Sequence, residues 1–345
     1  MLDLIKVQDE IVNELKQSLS GVNDPTRRAE SIDYKGRSCV KLHDVVRDLT
    51  ISPEDIKNLD QLDLSYWTFR DVRNISNIPT FKTLERLEIL RVEFLSNLTG
   101  ILLNVSESSP ACLYSHLKFV RIIRCEKLEK LISSKLTLEM KNLEQIDVYR
   151  CTEMEELIAI DDDEDNEERS PKEFLLPKLK RLSLYNMTKL KSIGSCNGVM
   201  VSDSLQVIEI RYCRKLKKIL SSSSKLQLGV LKNLEEIDVG GCGEMEEIIA
   251  IDDVDCKKEL IIILPKLRKL TLIDMRELKR IINVCGRNRV MVCDSLQQIC
   301  ISYCPQLKRL PIYVGVDEKG QPSPPPALNK IFAQTLLLPF CKFRD

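Results

Sequence analysis

The sequence predicts an α/β solenoid of leucine-rich repeats, with a curved parallel β-sheet on its concave side and irregular short helices or loops on its convex side. Three features predict this fold: a recurring L-x-x-L-x-L motif, an apolar pair after each copy, and a duplicated block of three copies. The motif predicts the strands and the apolar pair closes each coil. A stack of similar coils tolerates the duplication easily.

The strand motif occurs in seven close copies and two looser ones. The close copies begin at Leu117, Leu143, Leu179, Leu205, Leu234, Leu267 and Leu296, and the looser copies begin at Leu59 and Leu84. Successive side chains of a strand point to opposite faces. The fourth and sixth positions are therefore expected to point into the coil, and the third, fifth and seventh positions outward.

A second pair of apolar residues follows each close copy after a turn. The pairs are Leu128 and Leu131, Met154 and Leu157, Leu190 and Ile193, Leu216 and Ile219, Met245 and Ile248, Leu278 and Ile281, and Leu307 and Leu310. We expect them to close the inside of each coil from its convex side. One coil buries too little apolar surface to offset its conformational entropy, so neighbouring coils must share their stability.

A block of three coils recurs at an offset of 91 residues, since residues 142–162 match residues 233–253 at 16 of 21 positions. We expect three regions: an N-terminal helical remnant over residues 1–50, about nine repeats over residues 51–313, and a proline-rich linker and tail over residues 314–345. The tail either caps the last coil or has no defined structure.

Five of the thirteen cysteines lie three residues after the last inward position of a strand. They are Cys125, Cys151, Cys213, Cys242 and Cys304. A small buried side chain fits this turn, so we expect reduced, structural thiols. Equivalent cysteines are about one repeat apart in the chain, which we interpret as a poor arrangement for disulfides. With no C-x-x-C pair and two histidines, no metal is expected.

Charge and hydropathy exclude several classes of partner. Lysine plus arginine equals aspartate plus glutamate at 52 each, so no global field favours nucleic acid or an anionic membrane. No apolar run approaches the roughly 20 residues of a membrane span, and the start is not a signal peptide, so we expect a cytoplasmic protein. The acidic run over residues 161–168 is expected to be a solvated loop; a contact for a basic partner or a calcium site are the alternatives.

Residues 40–48 (VKLHDVVRD) resemble the M-H-D motif that closes the nucleotide-binding (NB-ARC) module of plant disease-resistance proteins. In that family the motif lies in a winged-helix subdomain just before the leucine-rich repeats. Irregular repeats with C-x-x-L/M-x-x-L/I after the strand also resemble its coiled-coil class. The resemblance covers about residues 3–328. It implies that residues 1–50 are a winged-helix remnant and that the chain is the carboxyl-terminal portion of such a receptor.

The departures from the family pattern concern the nucleotide. Leu42 occupies the place of the usual methionine, and no G-x-x-x-x-G-K-[ST] phosphate loop occurs in the sequence. In the family, the histidine that matches His43 contacts bound ADP. Without a phosphate loop, His43 and Asp44 are expected to be degenerate relics, and no cofactor is expected.

Tyrosine and arginine, the usual anchors of protein interfaces, concentrate at outward positions between Arg121 and Tyr212. We expect the partner-binding residues of the concave face to be Phe119, Arg121, Arg124, Asp147, Tyr149, Arg150, Arg181, Tyr185, Glu209, Arg211 and Tyr212. A merely solvated sheet face is the alternative.

These features favour a non-enzymatic protein-recognition module of a plant innate-immune receptor. The resemblance implies that it binds a pathogen effector or a guarded host protein, or NB-ARC and coiled-coil domains in cis or in trans. The alternative is a substrate-recruiting repeat protein of a ubiquitin ligase, although no F-box-like segment is evident. An enzyme is not expected, because the sequence has two histidines, no phosphate loop and no G-x-S-x-G motif.

Overall fold

Parallel strands dominate the computed structural model of this chain. It describes residues 39–41, 61–65, 86–102, 114–133, 140–159, 172–193, 198–201, 204–222, 232–251, 260–283, 289–307, 310, 315–316, 322–323 and 325–333. The predicted leucine-rich-repeat solenoid with a parallel sheet is confirmed. Within the described residues, the other sides of the coils consist of short strands and turns, where the sequence predicted irregular short helices or loops.

One long sheet of eleven parallel strands runs through the repeats. In pairing order its strands are β1 (Cys39–Lys41), β2 (Gln61–Ser65), β3 (Ile89–Glu93), β5 (Phe119–Ile123), β7 (Gln145–Tyr149), β10 (Arg181–Tyr185), β12 (Val207–Arg211), β14 (Glu236–Gly240), β17 (Lys269–Ile273), β20 (Gln298–Ser302) and β23 (Lys330–Ala333). Spatial order follows chain order, so each coil adds one strand at the edge of the sheet. Equivalent motif positions therefore meet in neighbouring coils.

Shorter strands line the other sides of the coils. One three-stranded sheet contains β4 (Gly100–Leu102), β6 (Lys130–Ser133) and β8 (Glu156–Ala159), and another contains β13 (Leu220–Ser222), β15 (Glu247–Ile251) and β18 (Arg280–Asn283). The strand pairs are β9 (Lys172–Leu175) with β11 (Gly198–Val201), β16 (Leu260–Ile263) with β19 (Arg289–Val292), and β21 (Gly315–Val316) with β22 (Pro322–Ser323). All of these pairings are parallel except the last.

Two continuous rows of aliphatic side chains form the core behind the long sheet. The fourth-position row contains Leu90, Val120, Ile146, Leu182, Ile208, Ile237, Leu270 and Ile299, and the sixth-position row contains Val92, Ile122, Val148, Leu184, Ile210, Val239, Leu272 and Ile301. Every member of both rows is at most 1% exposed. The apolar pairs that follow the strands are buried as well. The inward positions and closing pairs predicted for the seven close copies are therefore confirmed.

The motif copy that was predicted to begin at Leu84 begins three residues later in the structure. Strand β3 pairs Leu90 with Val120, so the motif of this coil begins at Leu87. Two overlapping motifs fit residues 84–92, because apolar residues recur there at intervals of three. Only pairing with the neighbouring coil selects one of them.

The long sheet includes strands on both sides of the region predicted as repeats. At one end β1 pairs with β2, and at the other end β23 pairs with β20. Except for residues 39–41, the helical remnant predicted over residues 1–50 lies outside the described residues, and so do His43 and Asp44. The winged-helix assignment and the boundaries at residues 50 and 313 remain predictions.

The turn after each strand of the long sheet from β3 to β20 contains the buried side chain of a cysteine, a methionine or a leucine. The five cysteines predicted for this turn are free and buried. Although equivalent cysteines are about one repeat apart in the chain, the thiol of Cys125 is a neighbour of that of Cys151, and the thiol of Cys213 is a neighbour of that of Cys242. Stacking brings positions one repeat apart in the sequence onto adjacent coils.

Two of the buried thiols, those of Cys151 and Cys293, have raised pKa values. The hydrogen bond with Cys125 and then burial raise the pKa of Cys151 well above its usual value. Burial raises the pKa of Cys293 to about 12. Because the thiolate is the reactive form of cysteine, these side chains are inert while the coils remain stacked.

Alkylation of the native protein with iodoacetamide at mildly alkaline pH should leave Cys151 and Cys293 unmodified, whereas the partly exposed Cys300 reacts readily. Peptide mapping by mass spectrometry measures each rate. In concentrated guanidinium chloride the three thiols should react alike. Native modification of Cys151 at the rate of Cys300 would contradict the stacked arrangement.

Replacing Ile208 with aspartate should unfold several coils together, because it places an unpaired carboxylate in a continuous core. We expect a loss of at least about 3 kcal/mol in the free energy of unfolding. The matched control is Val207→Asp on the outward side of the same strand, with an expected loss under about 1 kcal/mol. Urea unfolding followed by circular dichroism measures both, and limited proteolysis that shows only a local cut near residue 208 would contradict cooperativity.

Candidate functional site

The eleven residues predicted to bind a partner lie on four neighbouring coils of the long sheet. Eight occupy outward positions of β5, β7, β10 and β12 (Phe119, Arg121, Asp147, Tyr149, Arg181, Tyr185, Glu209 and Arg211). We name the outward side of these four strands the strand face. The remaining three, Arg124, Arg150 and Tyr212, each come directly after the last residue of a strand. The structure therefore brings the predicted residues together.

Three arginines of the strand face form ion pairs with acids on the next strand. Arg121 binds Asp147 at 2.9 Å and Arg181 binds Glu209 at 3.0 Å. The third pair joins Arg211 to Asp238 of β14, a residue absent from our sequence-based set, at 2.7 Å. Because these charges are matched within the sheet, the three guanidinium groups are less available to a partner than their residue type suggests.

Asp147 is the most deeply placed acid of the strand face. It is 1% exposed, accepts hydrogen bonds from Arg121 Nε and Nη2, and accepts two more from Gln145 Nε2 at 3.1 Å. On the next coils the Ser183 hydroxyl donates to Glu209 Oε2 at 3.0 Å. Acids in the middle of the sheet are thus satisfied by neighbours one strand away or two residues along the same strand. This part of the face is built as a connected polar network.

A chain of tyrosine rings crosses three adjacent coils beside this network. The ring centroids of Tyr149 and Tyr185 lie 6.2 Å apart, and Tyr185 meets Tyr212 edge-to-face at 5.3 Å. Burial, followed by the charge of Asp147, raises the pKa of the Tyr149 hydroxyl, so this group remains a neutral hydrogen-bond donor at physiological pH. Tyr212 remains 45% exposed. The rings present a broad amphipathic surface to solvent.

The residue directly after each long-sheet strand from β3 to β20 has a left-handed backbone. We name these eight residues the rim column: Phe94, Arg124, Arg150, Asn186, Tyr212, Gly241, Asp274 and Tyr303. Their φ angles lie between 52° and 66°. Five members were not predicted as site residues because no period in the sequence marks backbone handedness, although Phe94 and Tyr303 each follow a strand motif directly.

Gly241 is the glycine of the rim column, and its neighbour explains why. A Cβ atom there would lie 2.6 Å from Cδ1 of Tyr212, so a side chain at this place would collide with the tyrosine ring. The ring of Tyr212 is therefore held between Tyr185 on one coil and the bare backbone of Gly241 on the next.

Lysine–glutamate pairs join neighbouring coils on the turns away from the strand face. Lys191 binds Glu155 at 2.7 Å and Lys279 binds Glu246 at 2.7 Å. The hydrogen bond from each lysine holds the pKa of its glutamate below the usual range. Such exposed pairs contribute little to stability. They do neutralise lysine and glutamate side chains that would otherwise be available to a partner.

Among the described residues, no three or more histidine, cysteine, aspartate or glutamate side chains gather as metal ligands would. No helix in the described part of the chain is long and apolar enough to cross a membrane. The candidate site is thus a sheet face with paired charges, stacked aromatic rings and a rim of left-handed residues. A stack of leucine-rich coils with such a face is the architecture of repeat proteins that bind along one extended surface.

Comparison with known proteins identifies the family. A sequence model of one protein family matches residues 90–230 and 204–314, which together span more than half of the chain. This family is described as "Plant disease resistance protein RPS2-like, leucine-rich repeats". The chain belongs to this family of plant disease-resistance leucine-rich repeats.

Two curated relatives come from Arabidopsis thaliana. The protein named "Probable disease resistance protein At4g27220" is 34% identical over 146 residues, which is 41% of this chain and 15% of the relative. The protein named "Disease resistance protein At4g27190" is 28% identical over 140 residues, which is 40% of this chain and 13% of the relative. The match therefore spans less than a sixth of the length of either relative.

Replacing Arg121 with methionine should lower the free energy of unfolding by about 2–3 kcal/mol, because Asp147 loses its countercharge while it stays buried. The double variant Arg121→Met/Asp147→Leu should recover at least half of that loss, since no unpaired carboxylate remains. Chemical denaturation of the four proteins in this cycle measures the coupling. Additive effects would show that the pair does not contribute to the sheet.

Proposed function

We propose that this chain is a non-enzymatic protein-recognition module of a plant innate-immune receptor and that the strand face is its binding surface. Its partner is a pathogen effector or a guarded host protein, or else the nucleotide-binding module whose switch the repeats restrain. Membership of the disease-resistance family supports this function. A cytoplasmic location is part of the proposal, as expected for a receptor of this class.

The observation that carries the proposal is the chain of rings formed by Tyr149, Tyr185 and Tyr212. Tyrosine contributes strongly to protein interfaces because it buries a large apolar surface while its hydroxyl finds a polar partner. Here three rings from three coils are fixed against one another before any partner arrives. Preorganised side chains lose less conformational entropy on binding.

The paired arginines support a protein partner in a second way. Arg121, Arg181 and Arg211 are held in place by acids, so they offer oriented N–H donors rather than free charge. A surface with mixed, fixed charges favours selectivity, since a partner must match both signs at defined places. Two relatives that are named as disease-resistance proteins favour this function over substrate recruitment for a ubiquitin ligase.

Photocrosslinking in leaf cells tests the proposal. A photoreactive phenylalanine analogue at Tyr185 should form discrete adducts with one or a few proteins, because that ring is at the centre of the proposed surface. The control carries the analogue at Lys191, an exposed turn position away from the strand face. Mass spectrometry of adducts formed with and without pathogen challenge distinguishes an effector from a resident host protein or a nucleotide-binding module.

Alanine at both Tyr149 and Tyr212 should lower the yield of the Tyr185 adduct severalfold while leaving the circular dichroism spectrum unchanged. Identical adducts from Tyr185 and from Lys191 would contradict recognition at the strand face.

A further inference from the structure

All eight residues of the rim column have the same backbone conformation, but their side chains differ. Each rim residue from Phe94 to Asp274 donates its backbone N–H to the carbonyl of the last strand residue on the next coil, at 2.8–2.9 Å. The residue after it enters the core: Leu95, Cys125, Cys151, Met187, Cys213, Cys242, Met275 and Cys304 are each at most 1% exposed. The left-handed turn is therefore required in every coil, whichever residue occupies it.

The residues at this column are mostly unsuited to that backbone. A left-handed conformation costs an L-residue roughly 1–2 kcal/mol, and glycine, asparagine and aspartate tolerate it best. The chain places those types at Asn186, Gly241 and Asp274 only. The other five are two arginines, two tyrosines and a phenylalanine. Retained backbone strain of this kind is an indication of function.

The two rim arginines also differ from the arginines inside the strand face. Arg124 and Arg150 are exposed, and neither forms an ion pair with a carboxylate among the described residues. Arg124 instead lies over the ring of Phe94, with its guanidinium carbon 5.3 Å from the ring centroid. Adjacent coils thus present two unneutralised positive charges, flanked by an aromatic ring that is 38% exposed.

The spacing of these groups limits what can bind them. The strands β5 and β7 that precede the two arginines are hydrogen-bonded neighbours, so the charges project from points about 4.8 Å apart. Two glutamates four residues apart on a helix have Cβ atoms about 5–6 Å apart, which fits that separation. Arginine binds carboxylates through paired N–H donors, and Phe94 offers an apolar contact beside them.

We propose that Phe94, Arg124 and Arg150 form a contact strip for an acidic segment of a protein partner. Two carboxylates of the partner bind the two guanidinium groups, and an apolar side chain next to them packs on Phe94. This inference deepens the proposed function and rests on it, since it names the chemistry that the partner presents at the edge of the strand face.

Fluorescence anisotropy with defined peptides tests the strip on the full chain. The probe is a labelled, alanine-rich helical peptide with two glutamates four residues apart and a leucine one turn before them. It should bind at least about tenfold more tightly than the same peptide with two lysines. A peptide with its glutamates two residues apart, on different sides of the helix, should bind with intermediate affinity. Equal affinity for the glutamate and lysine peptides, or no binding of either, would overturn the proposal.

The matched variant is Arg124→Asn/Arg150→Asn, since asparagine is what the chain itself uses in this column at Asn186. It should lose at least about tenfold in affinity for the acidic peptide, while its thermal unfolding midpoint stays the same or rises because asparagine tolerates the left-handed backbone. The control is Arg268→Asn, which removes an exposed arginine from the opposite end of a strand and should change neither quantity. A lower unfolding midpoint, or unchanged affinity, in the double variant would overturn the inference.

Failure of the strip and failure of the proposed function give different results. If the Asn variant keeps its Tyr185 photoadducts and the peptides show no preference, the strand face binds protein without this strip. If the Tyr185 adducts are also absent, the proposed function itself is wrong.

Discussion

The register of the long parallel sheet is the constraint on which the rest of the structure depends. Pairing is in step from β3 to β20, so the fourth and sixth motif positions of eight coils form two unbroken aliphatic rows. A shift of one residue in any coil would turn its aliphatic side chains to solvent and its polar side chains into the core. The same register places equivalent outward residues next to one another, which determines the chemistry of the surface.

Adjacency in this sheet divides the charged residues into two classes. Inside the sheet, arginine on one coil meets aspartate or glutamate on the next, and on the turns lysine meets glutamate. Like charges at such short spacing repel, and these ion pairs offset part of that repulsion between the coils. Arg124 and Arg150 are like charges on neighbouring coils, and neither forms an ion pair with a carboxylate among the described residues. The overall balance of 52 basic and 52 acidic residues conceals this local excess.

Periodicity predicted the inward rows, the closing pairs and the buried thiols, because each depends on one residue type recurring at one spacing. It placed the motif at Leu84 wrongly, where two overlapping patterns fit equally well, and only pairing with the next coil decides between them. It also missed the contact between Cys125 and Cys151, since distance along the chain says nothing about distance across a stack. The eleven predicted surface residues do cluster, but which of them are paired depends on side-chain reach across strands.

Native-state hydrogen exchange tests the central claim, that the coils form one cooperative ladder, most directly. Mass spectrometry at increasing, subdenaturing urea follows the backbone amides of β5, β10, β14 and β20, which lie in separate coils. If one ladder supports them all, their opening free energies should converge on the free energy of global unfolding. Strands that keep separate, unrelated opening free energies up to the unfolding transition would contradict a continuous ladder and the preorganised surface built on it.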